Sequence, residues 1–247
     1  MRRAGTVNYI ADPPLVPEDL LTSDDRAHRC FLNSGDHKHA AFFGENSRVA
    51  VLTSSDLNKD LIPLQRIELP GVLELRPKVF RDARGFFMET FHLAEFREFG
   101  IKETFVQDNH SCSRKGTLRG LHYQLRHPQA KLCRVVEGQA LDVAVDVREG
   151  SPNFGKWTSV LLSAEKQNQI YIPAGFAHGF LAVTDTVQFL YKCSDYYHPE
   201  DERGVLWSDP ELKISWGIID PVVSEKDVKL PRLATIPKGC LPQYTGA

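Results

Sequence analysis

"ALDVAVDV", residues 140–147, alternates strictly: Leu141, Val143, Val145 and Val147 point one way, and Asp142, Ala144 and Asp146 the other. A period of two is the mark of a strand. Working outward, the same character recurs in short pieces. "TLRGLHYQ" and "KLCRVVEG" precede it, and "KWTSVLLS", "NQIYIP", "GFLAV" and "TVQFLYKCS" follow, separated by turn residues. Further upstream, "GVLELRPKVF", "FFMETF" and "ETFVQDN" also read as strands, with Pro77 marking an edge or a bend and "RDARG" a turn. The one helix predicted mid-chain is "LAEFREFG", where Leu93, Phe96 and Phe99 fall at helical spacing and Gly100 closes the end. Many short strands without βαβ alternation predict an all-β double-sheet jelly roll with few, short helices.

Residues 1–64 differ in kind. "ADPPLVPEDLLTSDD" and "NSGDHKHAAFFGENS" are rich in Pro, Asp, Ser, Asn and Gly, and "RVAVLT" is their one candidate strand. They read as an irregular, loosely ordered N-terminal extension to a domain spanning 65–247. The "HKH" within them reads as solvated histidines in a polar loop rather than as metal ligands. A formal charge of −2 over 247 residues, with no basic block, argues against a nucleic-acid binder. Cys30, Cys112, Cys133, Cys193 and Cys240 are odd in number and widely spaced, which suits a reducing cytoplasm. The start "MRRAGTVNYIADPP" lacks an apolar signal-peptide core, and no run of about 18 apolar residues offers a membrane span.

Chemistry concentrates in a few strands. In "TLRGLHYQ" strict alternation puts His122 and Gln124 on one face and Arg119 on the other, but Gly120 is a natural bulge position that would turn Arg119 to the side of His122. A hydrogen-bonded core histidine is the competing reading. "IPAGFAHGF" adds His178 in the pattern Pro-x-Gly-x-x-His, one half of the metal signature of cupin barrels. The other half needs His-x-His, where this chain has His122-Tyr123-Gln124, so a metal is not expected. Tyr191 shares a face with Val187, Phe189 and Cys193; it is a proton donor or a packed phenol, and periodicity alone favours packing. Tyr196 and Tyr197 fall in an exposed turn where a ring could stack on a base. Arg84, Arg119, Lys131 and Lys226 are scattered, and spacing cannot say whether the fold gathers them.

In order, "PKVFRDARGFFMETF", "FVQDNHS", "LRGLHYQ", "SPNFGKW", "IPAGFAHGF", "FLYKCSDYY" and "LWSDPELKISW" resemble the dTDP-4-dehydrorhamnose 3,5-epimerase family, from about Arg66 to Pro231. The resemblance implies a cupin-type jelly roll acting as a homodimer, with strands exchanged between subunits to help build each site. The implied substrate is a dTDP-linked 4-keto-6-deoxyhexose, inverted at C3 and C5 without metal or redox cofactor. The implied base is His122, oriented by Asp227; Lys131 stabilises the enolate, and Tyr191 returns a proton to the opposite face. Arg84, Glu89, Gln107, Asn109, Arg119, Glu202 and Lys226 match the family's binding residues, His178 lines the site, and Tyr197 stacks on thymine. A mono-epimerase inverting only C3 or C5 is the near alternative, and a non-catalytic cupin binding a sugar or a metal as a sensor is the more distant one.

Overall fold

Strands dominate the computed structural model, which describes residues 69–246 together with the backbone of residues 30–34, 37–41 and 64–66. The first two strands, β1 (Cys30–Ser34) and β2 (His37–Ala41), pair antiparallel within the unit Met1–Lys59. The tract His37–His39, read as a polar loop, therefore lies in a strand. The candidate strand "RVAVLT" lies outside the described residues.

The unit Asp60–Ala247 holds the two sheets. One runs β11 (Trp157–Ser163), β10 (Gln139–Asp146), β13 (Phe176–Ala182), β8 (Thr117–Gln124) and β15 (Glu202–Gly204), with β16 (Val222–Val223) lying parallel to β8. The other runs β3 (Leu64–Arg66), β4 (Leu73–Leu75), β12 (Gln169–Ile172), β9 (Lys131–Glu137), β14 (Thr186–Cys193) and β7 (Gln107–Arg114). A separate hairpin pairs β5 (Val79–Asp82) with β6 (Gly85–Met88). Apart from β16 on β8, the pairings in both sheets are antiparallel, and the result is the cupin-like jelly roll that the short, evenly spaced strands predict.

The strict alternation of residues 140–147 has a consequence for the core. Ala140 and Ala144 point between the sheets, joining Val135, Leu162, Ile170, Phe180 and Phe189 in one apolar cluster. The rings of Phe180 and Phe189 stack across the gap, 4.0 Å apart and nearly parallel. The larger residues Val143, Val145 and Val147 point the other way, under a cover made by Leu212, Trp216, Leu233 and Leu241 of the C-terminal segment. Both faces of β10 are thus buried, each large apolar side chain contributing about 1.5–3 kcal/mol.

Local differences from expectation have local causes. Pro77 does not bend one strand but separates two, β4 and β5. Strand pairing of "ETFVQDN" begins only at Gln107. The mid-chain helix spans Leu93–Glu98 with the His92 ring accepting from the Glu95 N–H at 3.4 Å, and Gly100 follows at φ +87°. Phe96 is its buried residue, edge-on to Phe91, whereas Leu93 faces outward. A second, one-turn helix, Glu225–Val228, was not read from the sequence. Among the described residues no helix is long and apolar enough to cross a membrane.

Candidate active site

His122 enters the space between the sheets from β8, and Gly120 decides that it can. Arg119 pairs with Phe180 and His122 with His178, so the register slips by one residue between them. Leu118, Leu121 and Tyr123 consequently all pack in the outer cluster, while Arg119 and His122 both line the inner cavity. Gly120 adopts φ +122°, and a Cβ there would sit 2.5 Å from Gly179 Cα and 2.8 Å from the His178 carbonyl oxygen. Only glycine fits at that crossing.

The imidazole Nε2 lies 2.6 Å from Asp227 Oδ1. Asp227 sits on the one-turn helix, where its N–H donates to the Ser224 hydroxyl at 3.1 Å. Its other carboxylate oxygen accepts from the Gly120 N–H at 3.2 Å. Burial alone would raise the Asp227 carboxyl, but the hydrogen bond and charge of His122, with the Gly120 and Ser224 contacts, hold it below the usual carboxylate range. With Nε2 committed to a carboxylate, Nδ1 is the ring nitrogen left to take a proton. It lies 3.7 Å from Glu202 Oε1. Glu202 also accepts from the Tyr197 hydroxyl at 2.6 Å and pairs closely with the Lys226 ammonium. Burial opposes the charged form of Glu202; the Lys226, Tyr197 and His122 contacts outweigh it and lower its pKa.

The opposite wall is the second sheet. Tyr191 on β14 and Lys131 on β9 line the same cavity of about 430 Å³ as Arg119, His122, His178, Lys226 and Asp227. Burial pushes the Tyr191 phenol up to about 12, so it keeps its proton at neutral pH. A second lobe of about 360 Å³ shares His122, Lys131, Tyr191 and Lys226 and runs out past Gln107, Asn109, Tyr197 and Glu202. Gln107 donates to Asn109 at 3.0 Å and accepts from the Tyr197 N–H at 2.9 Å, tying the exposed turn to β7. Arg119 is steadied by the Ser113 hydroxyl at 3.1 Å.

Eleven of the thirteen residues singled out from the sequence therefore converge on one two-lobed cavity: Gln107, Asn109, Arg119, His122, Lys131, His178, Tyr191, Tyr197, Glu202, Lys226 and Asp227. Arg84 and Glu89 do not. Arg84 stands on the β5–β6 hairpin with its side chain 90% exposed, held by Asp82 at 2.5 Å, and Glu89 follows that hairpin, also exposed. Two participants escaped the sequence reading. Asp142, fully buried on β10, lies 2.9 Å from His178 Nε2; its signal was an inward carboxylate between two alanines. Burial lowers the His178 pKa against the pull of Asp142, which leaves the ring neutral. The other is Ser224, whose Ser-x-x-Asp spacing to Asp227 is a helix-start signature.

Within this cupin-type jelly roll, a histidine of one sheet, paired with an aspartate on the one-turn helix, faces a tyrosine and a lysine of the other sheet; the relatives of the chain are isomerases. The chain belongs to the dTDP-4-dehydrorhamnose 3,5-epimerase family, whose model matches residues 66–235. It is 53% identical over 165 residues to the dTDP-4-dehydrorhamnose 3,5-epimerase of Shigella flexneri, covering 66% of this chain and 91% of that one. The enzyme of the same name from Neisseria gonorrhoeae is 54% identical over 161 residues, 65% of this chain, which spans only 49% of that protein's length. Among solved structures, the dTDP-6-deoxy-D-glucose-3,5-epimerase of Legionella pneumophila, in complex with dTDP-4-keto-L-rhamnose, superposes with a TM-score of 0.72. It is 45% identical, with 74% of this chain and 98% of that one covered.

Proposed function

We propose that the chain converts dTDP-4-dehydro-6-deoxy-D-glucose to dTDP-4-dehydro-L-rhamnose, inverting C3 and C5 through enolates. The observation that carries this is the placement of His122 and Tyr191 on opposite walls of one cavity, with the Lys131 ammonium beside them. Inversion next to a ketone needs a base on one face of the carbon and an acid on the other. His122 Nδ1 takes the C–H proton, the electron pair moves into the C4 carbonyl, and Asp227 stabilises the imidazolium that forms. Lys131 offsets the negative charge developing on O4. Tyr191 then donates its O–H proton from the far side and recovers one from solvent. The outer lobe suits the nucleotide: Tyr197 offers a half-exposed ring to stack on thymine, and Arg119 and Lys226 offer charge to the diphosphate. Gln107, Asn109 and Glu202 orient it, and His178 borders the sugar.

The test is proton NMR of dTDP-4-dehydro-6-deoxyglucose with the protein in D₂O. Deuterium at both C3 and C5 is the expected result. Label at C3 alone or C5 alone would move the assignment to a mono-epimerase, and dTDP binding with no label at either would sink epimerisation in favour of a sensor. Tyr191→Phe sharpens the roles: epimerised product should fall about 10²-fold or more while exchange at the abstracted position persists.

A homodimer in which the β5–β6 hairpin is exchanged between subunits completes the reading. Phe80, Phe86 and Phe87 on that hairpin are 52%, 53% and 67% exposed; Phe80 and Phe87 pair on one face, and Phe86 lies on the other beneath the Arg81 guanidinium. The same hairpin carries Arg84 away from its own cavity, with Glu89 just beyond it. Exchange would bring Arg84 and Glu89 to the partner's site. Sedimentation velocity is expected to give a dimer, and Phe86→Asp with Phe87→Asp a monomer with weakened substrate binding; a monomeric wild type would contradict the exchange. The activity is assigned to residues 65–247, with 1–64 an appended extension, and the unbridged Cys112, Cys133, Cys193 and Cys240 suit a reducing cytoplasm.

A further inference from the structure

Outside the cavity, two histidines and a carboxylate meet on the surface beside the Tyr196–Tyr197 turn. We propose that His127, Asp195 and His198 bind a divalent first-row transition-metal ion. Their donor atoms all lie within 4.8 Å of one another. The two imidazole rings stack 3.9 Å apart at 20°, and His127 Nδ1 is 3.7 Å from Asp195 Oδ2. Small movements of exposed side chains would bring one nitrogen from each ring and one carboxylate oxygen around a single ion. Glu200 Oε1, 3.6 Å from His198 Nδ1, stands ready as a further ligand or as the partner that orients that ring.

Two imidazoles and a carboxylate suit Zn²⁺, Ni²⁺, Co²⁺ or Cu²⁺ rather than Mg²⁺ or Ca²⁺, which prefer all-oxygen shells. All three residues are partly exposed, so water can complete the shell and the ion has an open path in. What raises this cluster above a chance surface grouping is that its two loops are already fastened together without using the metal-type atoms. Gln124 donates to the carbonyls of His127 and Tyr196 at 2.8 and 3.0 Å and accepts from the His198 N–H at 2.6 Å. Gln129 donates to the Asp195 carbonyl at 2.9 Å, and the buried Asp201 carboxylate accepts from the His127 N–H at 2.8 Å. The backbone is therefore preorganised, and little ordering remains to oppose binding. Among the described residues the other cluster of metal-type donors, Cys133, Asp142 and His178, is buried, and its His178 Nε2 is engaged by Asp142.

An ion at this position would clasp the segment after β8 to the turn that carries Tyr197. The site stands whether or not the epimerase reading holds, since none of its ligands lines the cavity.

The experiment is isothermal titration of EDTA-stripped, desalted full-length protein with Zn²⁺, for wild type, His127→Asn and His198→Asn. Neither ring holds a backbone pin, so both variants should fold, and circular dichroism and dTDP binding check this. One saturable equivalent is expected in wild type, weakened about tenfold or more in each variant. Co²⁺ should report the same site by a visible absorption band without thiolate charge transfer, which separates it from binding at Cys112 or Cys240. Zn²⁺ should also raise the melting temperature of wild type and not of the variants. Equal affinity in all three proteins would place the ion elsewhere, including the His37–His39 tract, and overturn the proposal. No saturable binding below about millimolar Zn²⁺ in wild type would overturn it as well.

Discussion

His122→Ala is expected to lower turnover of dTDP-4-dehydro-6-deoxyglucose about 10²–10⁴-fold, the range that a positioned general base contributes. Deuterium exchange at C3 and C5 should fall with it, because the neighbouring Glu202 carboxylate is already engaged by the Tyr197 hydroxyl and the Lys226 ammonium. The neighbouring His178 is a poor substitute: its Nε2 faces the buried Asp142 carboxylate, and burial disfavours its charged form. Binding of dTDP should survive, since the groups offered to the nucleotide (Arg119, Gln107, Tyr197 and Lys226) remain. Asp227→Asn should leave the ring in place but release its tautomer and weaken the imidazolium, and so lose much of the rate with dTDP affinity retained. The checking measurement is kcat and exchange rate set beside calorimetric dTDP affinity for both variants. If exchange persisted at the wild-type rate in His122→Ala, the base would have to be sought elsewhere. If rate and dTDP affinity fell together, His122 would be a binding residue.

The second large effect concerns stability. Gly120→Ala is expected to cost several kcal/mol, a substantial part of the roughly 5–15 kcal/mol that holds a domain folded. Two terms add. An L residue at φ +122° carries about 1–3 kcal/mol of backbone strain. The added methyl would also press on Gly179 Cα and the His178 carbonyl, main-chain atoms of β13 that cannot swing aside, and overpacking of this kind costs about 1–3 kcal/mol more. Gly100→Ala serves as the control. Gly100 also has positive φ, at +87°, but nothing lies within 4 Å of its missing Cβ, so only the strain applies. Urea or thermal midpoints should show Gly120→Ala falling well below Gly100→Ala, with activity lost in whatever fraction still folds. Equal midpoints would mean that β8 and β13 can part without consequence.

Much of this architecture was legible because it rests on short-range rules. The two-residue period of 140–147 and its neighbours defines the strands, and the same period places Tyr191 with Val187, Phe189 and Cys193 on an inner face. Gly120 between Arg119 and His122 announced the bulge that turns both to one side. What period and turn chemistry could not reach was pairing at a distance. Asp227 became visible only through family resemblance, since it lies 105 positions from His122 and on a helix too short to show a period. Asp142 was noticed as one face of an alternating strand, yet its role depends on β10 lying beside β13, a register that alternation does not specify. Arg84 and Glu89 are a different case, because the single chain leaves them in solvent, and only under the proposed exchange would a second subunit bring them to a site.

The position of Asp227 also sets an order of events during synthesis. Sheet strands β4 to β14, with His122, Lys131 and Tyr191 among them, are translated by residue 193, and the C-terminal cover and the Ser224–Asp227 turn come afterwards. A nascent chain stopped near residue 220 would hold the residues proposed as base, acid and enolate cation, but neither β16 nor the Asp227 carboxylate that pairs with His122. Under the proposed mechanism, chemical competence arrives late on the ribosome, with the docking of a two-residue strand and one helical turn against β8.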